Sequence, residues 1–143
     1  MTQYKTILLL GTDLGDKKNN LIQAKSYINR YIGQVIKETK IIETEPIGFT
    51  SDTTFLNQVV EVETSFSPFL LLKAVKRIEN EMGRVYHEPK QGEAYTSRII
   101  DIDILFYENL KVNSSKLTIP HNQIKTRAFV TELMNDEVFT SKI

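Results

Sequence analysis

The chain contains no cysteine, which excludes disulfides, thiolate metal sites and a thiol nucleophile. Charge of one sign is not in excess: Lys plus Arg number 18 and Asp plus Glu number 18. With no overall basic field, neither nucleic acid nor an acidic membrane is expected as a partner. Any anion must be held by a local arrangement of cations. Long apolar runs are missing too. No segment approaches the roughly 20 apolar residues of a membrane-spanning helix. The apolar run in M-T-Q-Y-K-T-I-L-L-L-G is too short for a signal peptide and enters directly into a strand pattern. A cytoplasmic location is the expectation. Internal repeats and low-complexity linkers are absent, and 143 residues fit a single domain, 1–143, able to bury a core.

What is present is an alternation of strand and helix patterns. Thr6 to Leu10 reads as a buried strand ending at G-T-D-L-G, residues 11 to 15. Residues 18 to 32 carry Leu21, Ile22, Ala24, Ile28 and Ile32 at helical spacing, with Gly33 as the stop. Val35 to Thr44 is strand-like, 45 to 54 is a polar loop bearing Gly and Pro, and Phe55 to Glu63 alternates as a strand. Ser67-Pro68 opens the clearest helix, a hydroxyl N-cap with proline at the first helical position. Leu71, Val75, Ile78 and Met82 share its apolar face, and Gly83 closes it. Residues 84 to 97 lack periodicity and read as a mobile loop; a strand over about 98 to 107, a short hairpin at 117 to 121 and a helix over about 126 to 135 follow. The order β-α-β-β-α-β predicts an α+β, ferredoxin-like core: an antiparallel-containing sheet with helices packed on it in α-β-α layers. The G-x-x-x-G after the first strand matches neither the dinucleotide-binding glycine pattern nor a P-loop.

The stretch S-R-I-I-D-I-D-I-L-F-Y, residues 97 to 107, is apolar and β-branched yet contains Asp101 and Asp103. Strand alternation sends Ile100, Ile102 and Ile104 into the core and both carboxylates to the opposite face, roughly 7 Å apart. Two anions at that spacing repel unless a cation lies beside them. Magnesium suits such a pair, because it takes one or two carboxylates and fills its shell with water and substrate phosphates. On an exposed sheet face the same two residues are simply solvated or paired with Lys and Arg. The neighbourhood favours the metal and phosphate reading: Arg84, Arg98, His121 and Arg127 all lie close by in sequence.

At this point the residues resemble a known family. R-I-I-D-I-D-I-L-F-Y followed by L-T-I-P-H-N-Q-I-K-T-R-A-F is similar to the signature of the hydroxymethyldihydropterin pyrophosphokinases of folate biosynthesis. G-T-D-L-G, E-T-E-P-I-G, F-L-N-Q-V-V and R-I-E-N-E-M-G-R match further segments in order, over most of the chain. The resemblance implies transfer of the terminal pyrophosphoryl group of ATP to the hydroxymethyl group of a reduced pterin, releasing AMP. It implies two magnesium ions on Asp101 and Asp103, with Arg84 and Arg98 in the catalytic set. Glu79, Arg84, Arg98, Ile104, Lys116, Thr118, His121 and Arg127 are the implied ATP contacts. Thr44, Ile47, Phe55, Asn57, Asp101 and Phe129 are the implied pterin contacts, with Phe55 and Phe129 sandwiching the ring. A monomer is the expectation. The chain departs from the pattern where Tyr86 and His87 follow Val85 in place of a further arginine, at Asp13 in place of asparagine, and in its short C-terminus. These departures motivate the alternative, a divergent relative that binds nucleotide or pterin without catalysis.

Overall fold

The triple leucine of the first strand pattern forms the middle of the sheet. A computed structural model, which describes residues 2–45, 54–83 and 99–140, has it in β1 (Tyr4–Thr12). Leu8 and Leu10 point to one face and Leu9 to the other, and all three are buried. A central strand needs apolar residues of both parities, which explains the unbroken run. Antiparallel neighbours flank it: β4 (Phe55–Thr64) on one side and β5 (Asp101–Tyr107) on the other. Beyond β4 lie β2 (Gly33–Glu38) and, further along the same edge, β3 (Ile42–Thr44). The path β2-β4-β1-β5 is the ferredoxin-like order expected from the element sequence.

The single strand expected over 35 to 44 is therefore two. Thr39 interrupts it: its N–H donates to the Val59 carbonyl at 2.9 Å, and its hydroxyl accepts the Val59 N–H at 3.0 Å. A side-chain oxygen thus stands in for a backbone carbonyl, and the ladder breaks there.

Helix α1 (Lys17–Tyr31) starts one residue earlier than its apolar spacing suggests, because the Asp16 carboxylate accepts the Asn19 N–H at 3.1 Å as a cap. The helix ends just before Gly33, as expected, with Ile32 as its cap. Gly33 then opens β2 opposite Thr64. Helix α2 (Pro68–Glu81) has the expected Ser67 cap, whose hydroxyl accepts the Leu70 N–H at 3.4 Å, and Gly83 follows it with φ +99°. Both helices cover the face carrying Leu8, Leu10, Val60, Val62, Ile100, Ile102 and Ile104. Leu9, Val59 and Leu105 on the opposite face pack beneath α3 (Ala128–Met134), shorter than the expected 126 to 135. A last turn, α4 (Glu137–Thr140), adds to the same side. The layering is α-β-α. Among the described residues no helix is long and apolar enough to cross a membrane.

Two features of β5 position the carboxylates and their surroundings. Ile104 lies opposite Leu8 but Phe106 lies opposite Ile7, so Leu105 is one residue too many and forms a bulge. The Leu105 carbonyl accepts the His121 N–H at 3.0 Å, bringing the segment after β6 (Val112–Asn113) and β7 (Thr118–Ile119) onto the strand. The second feature is the buried Glu79 of α2, whose Oε2 accepts the Ile102 N–H at 2.9 Å. Helix and strand edge are thereby tied together. Glu79→Gln keeps an acceptor and is expected to be near neutral, whereas Glu79→Leu strands a buried N–H at a cost of about 1–3 kcal/mol. Urea unfolding of the two variants checks this, and equal stabilities would remove the assigned role.

Candidate active site

Three residues in register across the sheet form one row on the α3 face: Asn57 of β4, Gly11 of β1 and Asp101 of β5. Gly11 has no side chain, so an open floor about 10 Å wide separates the Asn57 amide from the Asp101 carboxylate. A Cβ placed on Gly11 would sit 3.4 Å from Asn57 Oδ1. Asn57 is buried and held by its own donors: Nδ2 reaches Thr44 Oγ1 at 2.9 Å and the Ile42 carbonyl at 3.3 Å. Its Oδ1 is thereby turned toward the floor. Alternation along β4 places Phe55 on the same face, and Phe129 of α3 packs against the Leu9–Val59 cluster next to it. The Arg127 guanidinium lies over the Phe129 ring at 5.8 Å from its centroid. The end of β1 is anchored to the approach to β5 by Thr12, whose hydroxyl donates to the Ile99 carbonyl and accepts from the Asn20 amide.

On the other side of β5, along its outer edge, lies a cavity of about 230 Å³. Asp103, Ile104, Lys116, Thr118 and His121 line it, together with Leu72, Lys76, Ser115 and Asn122. The bulge at Leu105 brings His121 here, with Nε2 3.9 Å from Asp103 Oδ1 and Nδ1 accepting the Gln123 N–H at 3.2 Å. The Asp103 side chain is 39% exposed. Burial nonetheless pushes its carboxyl above the ordinary value; His121 pulls it down, the Asp101 charge pushes it up again, and Arg127 and Lys76 pull it down. The pair thus stands between the edge cavity and the glycine floor, with His121, Arg127 and Lys76 acting on Asp103.

The expected site residues accordingly fall into two groups that meet at the carboxylates. Asn57, Thr44, Phe55, Asp101 and Phe129 belong to the floor, and Asp103, Ile104, Lys116, Thr118 and His121 to the cavity. Glu79 lies behind β5 as its anchor. Arg84, Arg98 and Ile47, like Tyr86 and the rest of the 84–97 loop, are outside the described residues. Gly11, Leu72, Lys76, Ser115 and Asn122 were not among the expected contacts. Of these only Gly11 had a sequence signal, a glycine inside a strand, which marks close approach of something to the backbone.

A ferredoxin-like α+β domain with a carboxylate pair between a cleft and an aromatic-flanked floor is the class that fold and site define. Residues 7–137 match the family described as 7,8-dihydro-6-hydroxymethylpterin-pyrophosphokinase, and the chain belongs to that family. A Bacillus subtilis 2-amino-4-hydroxy-6-hydroxymethyldihydropteridine pyrophosphokinase is 36% identical over 124 residues, 86% of this chain and 71% of that protein. The enzyme of the same name from Porphyromonas gingivalis is 37% identical over 130 residues, 90% of this chain and 87% of its own length. An Arabidopsis thaliana folate synthesis bifunctional protein is 36% identical over 142 residues, covering 99% of this chain. The chain spans only 28% of that protein and 26% of its Pisum sativum counterpart. Among solved structures, Plasmodium falciparum HPPK-DHPS with pteroate superposes at a TM-score of 0.73 with 17% identity, over 94% of this chain and 39% of that one. That likeness is one of fold.

Proposed function

We propose that the chain is an active, magnesium-dependent hydroxymethyldihydropterin pyrophosphokinase. The observation that carries the reading is the position of Asp101 and Asp103 between the edge cavity lined by Ile104, Lys116, Thr118 and His121 and the open floor at Gly11. ATP occupies the edge cavity, with Ile104, Lys116 and Thr118 along the nucleotide and His121 and Arg127 toward its phosphates. The reduced pterin lies on the Gly11 floor, its edge read by the Asn57 amide and its faces by Phe55 and Phe129. The hydroxymethyl oxygen of the pterin bonds to the β-phosphorus as the α–β bridging bond breaks. AMP leaves, and the hydroxyl proton passes to solvent. Transfer of this kind depends on placing two substrates in line and offsetting charge rather than on a strong base. Arg84 and Arg98 complete the phosphate contacts, and Ile47 the pterin contacts, on sequence pattern alone.

The donor set fits magnesium. Two carboxylates share a face, the Asp103 carboxyl is pushed up by burial and by its neighbour's charge, and no third His, Cys, Asp or Glu joins a metal-sized group among the described residues. Waters and substrate phosphates would fill the rest of the shell, as this ion prefers. Bound there, two ions would offset charge along the triphosphate. The same reading has the chain act in the cytoplasm as a monomer.

Incubation with ATP, magnesium and 6-hydroxymethyl-7,8-dihydropterin is expected to release AMP in step with pterin diphosphate. Absence of AMP alongside calorimetric pterin binding would establish the non-catalytic alternative instead. The floor has its own test. Gly11→Ala is expected to weaken pterin affinity about tenfold by crowding Asn57, with little change in ATP affinity. Equal pterin binding by the variant would move the ring elsewhere.

A further inference from the structure

The β1–β5 ladder ends where Gly11 faces Asp101, and the end of a ladder is where strands fray first. Asp103 lies further in, opposite Leu9, and the N–H of Ile102 beside it is held by Glu79 at 2.9 Å. Past the Gly11–Asp101 pair, a relay of side chains continues the tie between the strands. The Asn20 amide, on the first turn of α1, donates to the Thr12 hydroxyl at 3.0 Å and to the Leu14 carbonyl at 2.7 Å. The Thr12 hydroxyl in turn donates to the Ile99 carbonyl. Both side chains are buried. Thr12 shares the parity of Leu8 and Leu10, so it points into the helix layer and away from the Gly11 floor. The relay therefore touches no substrate. It acts on its chain neighbours: Gly11, next to Thr12, and Asp101, two positions beyond Ile99. Buried hydrogen bonds in series strengthen one another, and removing one member leaves an orphaned polar group.

We propose that Asn20 is a positioning residue for the site: through Thr12 it fixes the Ile99 carbonyl and so holds Asp101 in place across Gly11 from Asn57. The inference rests on the pyrophosphokinase reading for its catalytic consequence. The inner part of β5 is held by other contacts, the Glu79 carboxylate on Ile102 and the His121 N–H on Leu105. The relay thus bears on Asp101 and the floor, and not on Asp103 or the edge cavity. A relay serving only to pin α1 to the sheet would not distinguish the two carboxylates.

The test uses the full chain with Thr12→Val, Thr12→Ser and Asn20→Ala. Successive N–H groups along a strand point in opposite directions. The Ile102 N–H faces outward to Glu79, so the Asp101 and Asp103 amides face β1. In Thr12→Val, amide exchange followed by NMR is expected to speed up about tenfold at Asp101, the scale of one hydrogen bond, and to keep its wild-type rate at Asp103. The kcat for AMP formation is expected to fall about thirtyfold, as for a misplaced reacting group, with the KM for ATP within about twofold of wild type. Thr12→Ser keeps the hydroxyl and is expected to bring both the exchange rate and kcat back to within about threefold. Asn20→Ala should repeat the Thr12→Val pattern, and the double variant should lose no more than the worse single one. Thr12→Val is close in shape to the wild type and decides the matter if Asn20→Ala fails to fold. A lower thermal midpoint with Asp101 exchange and kcat unaltered would overturn the assignment, as would losses that multiply in the double variant. A wild-type chain that forms no AMP fails as a pyrophosphokinase, while the Asp101 exchange difference between Thr12→Val and wild type still decides the role of the relay.

Discussion

Asp101→Ala and Asp103→Ala are each expected to lower the proposed magnesium-dependent AMP formation by about 10³-fold, the scale on which charge stabilisation acts in such sites, and to leave the unfolding transition within a few degrees of wild type. Both side chains face away from the isoleucine core of β5, and that core holds the strand in place without them. Asp103→Asn separates charge from shape. Burial raises the Asp103 carboxyl, so the folded chain favours its protonated form. The resulting penalty is absent at low pH, appears as pH rises through the ordinary carboxylate value, and is complete above the raised one. Asp103→Asn removes that penalty, so its unfolding midpoint relative to wild type is expected to rise with pH across that window. Chemical unfolding followed by circular dichroism, alongside an AMP assay, reads both effects. Loss of folding in both alanine variants would make the pair a structural element.

Gly33→Ala is expected to be the most damaging small substitution in the scaffold. A Cβ at this position would lie 1.8 Å from the Glu63 carbonyl oxygen and 3.0 Å from the Thr64 Cα, all backbone atoms of the neighbouring strand. No rotamer change relieves such a clash. Either β2 moves off β4 or the first pairs of their ladder are lost, together with the bond from the Thr64 hydroxyl to the Ile32 carbonyl at 2.8 Å. The expected cost is on the order of 4 kcal/mol, a large part of the stability of a domain this size. The thermal midpoint should drop by about 10 °C; a change under about 2 °C would show that the strands separate there without penalty.

Gly33 also shows where reading from sequence alone runs short. As a residue after a helical pattern it looks like a stop signal, and nothing local reveals the carbonyl of a strand much further along the chain. Thr39 is similar: V-I-K-E-T-K-I-I-E-T is an unbroken strand pattern until the threonine hydroxyl replaces a carbonyl across the ladder. The α2 boundaries were legible because a serine cap, a proline and a glycine act through their nearest neighbours. Asp101 and Asp103 were legible because strand alternation is local as well. The bulge at Leu105 was not, since it depends on register against β1. It turns Phe106 to the α3 side and sets His121 beside Asp103.

The outer rim of β5 has a consequence for behaviour in concentrated solution. A last strand in a sheet ordinarily offers a row of amides and carbonyls to any passing chain, and that row templates intermolecular pairing. Here one amide is occupied by a carboxylate from α2 and one carbonyl by the backbone of His121. Two such stoppers fall within a seven-residue strand among the described residues. The contacts that aim the carboxylates also occupy part of the edge along which another strand could pair.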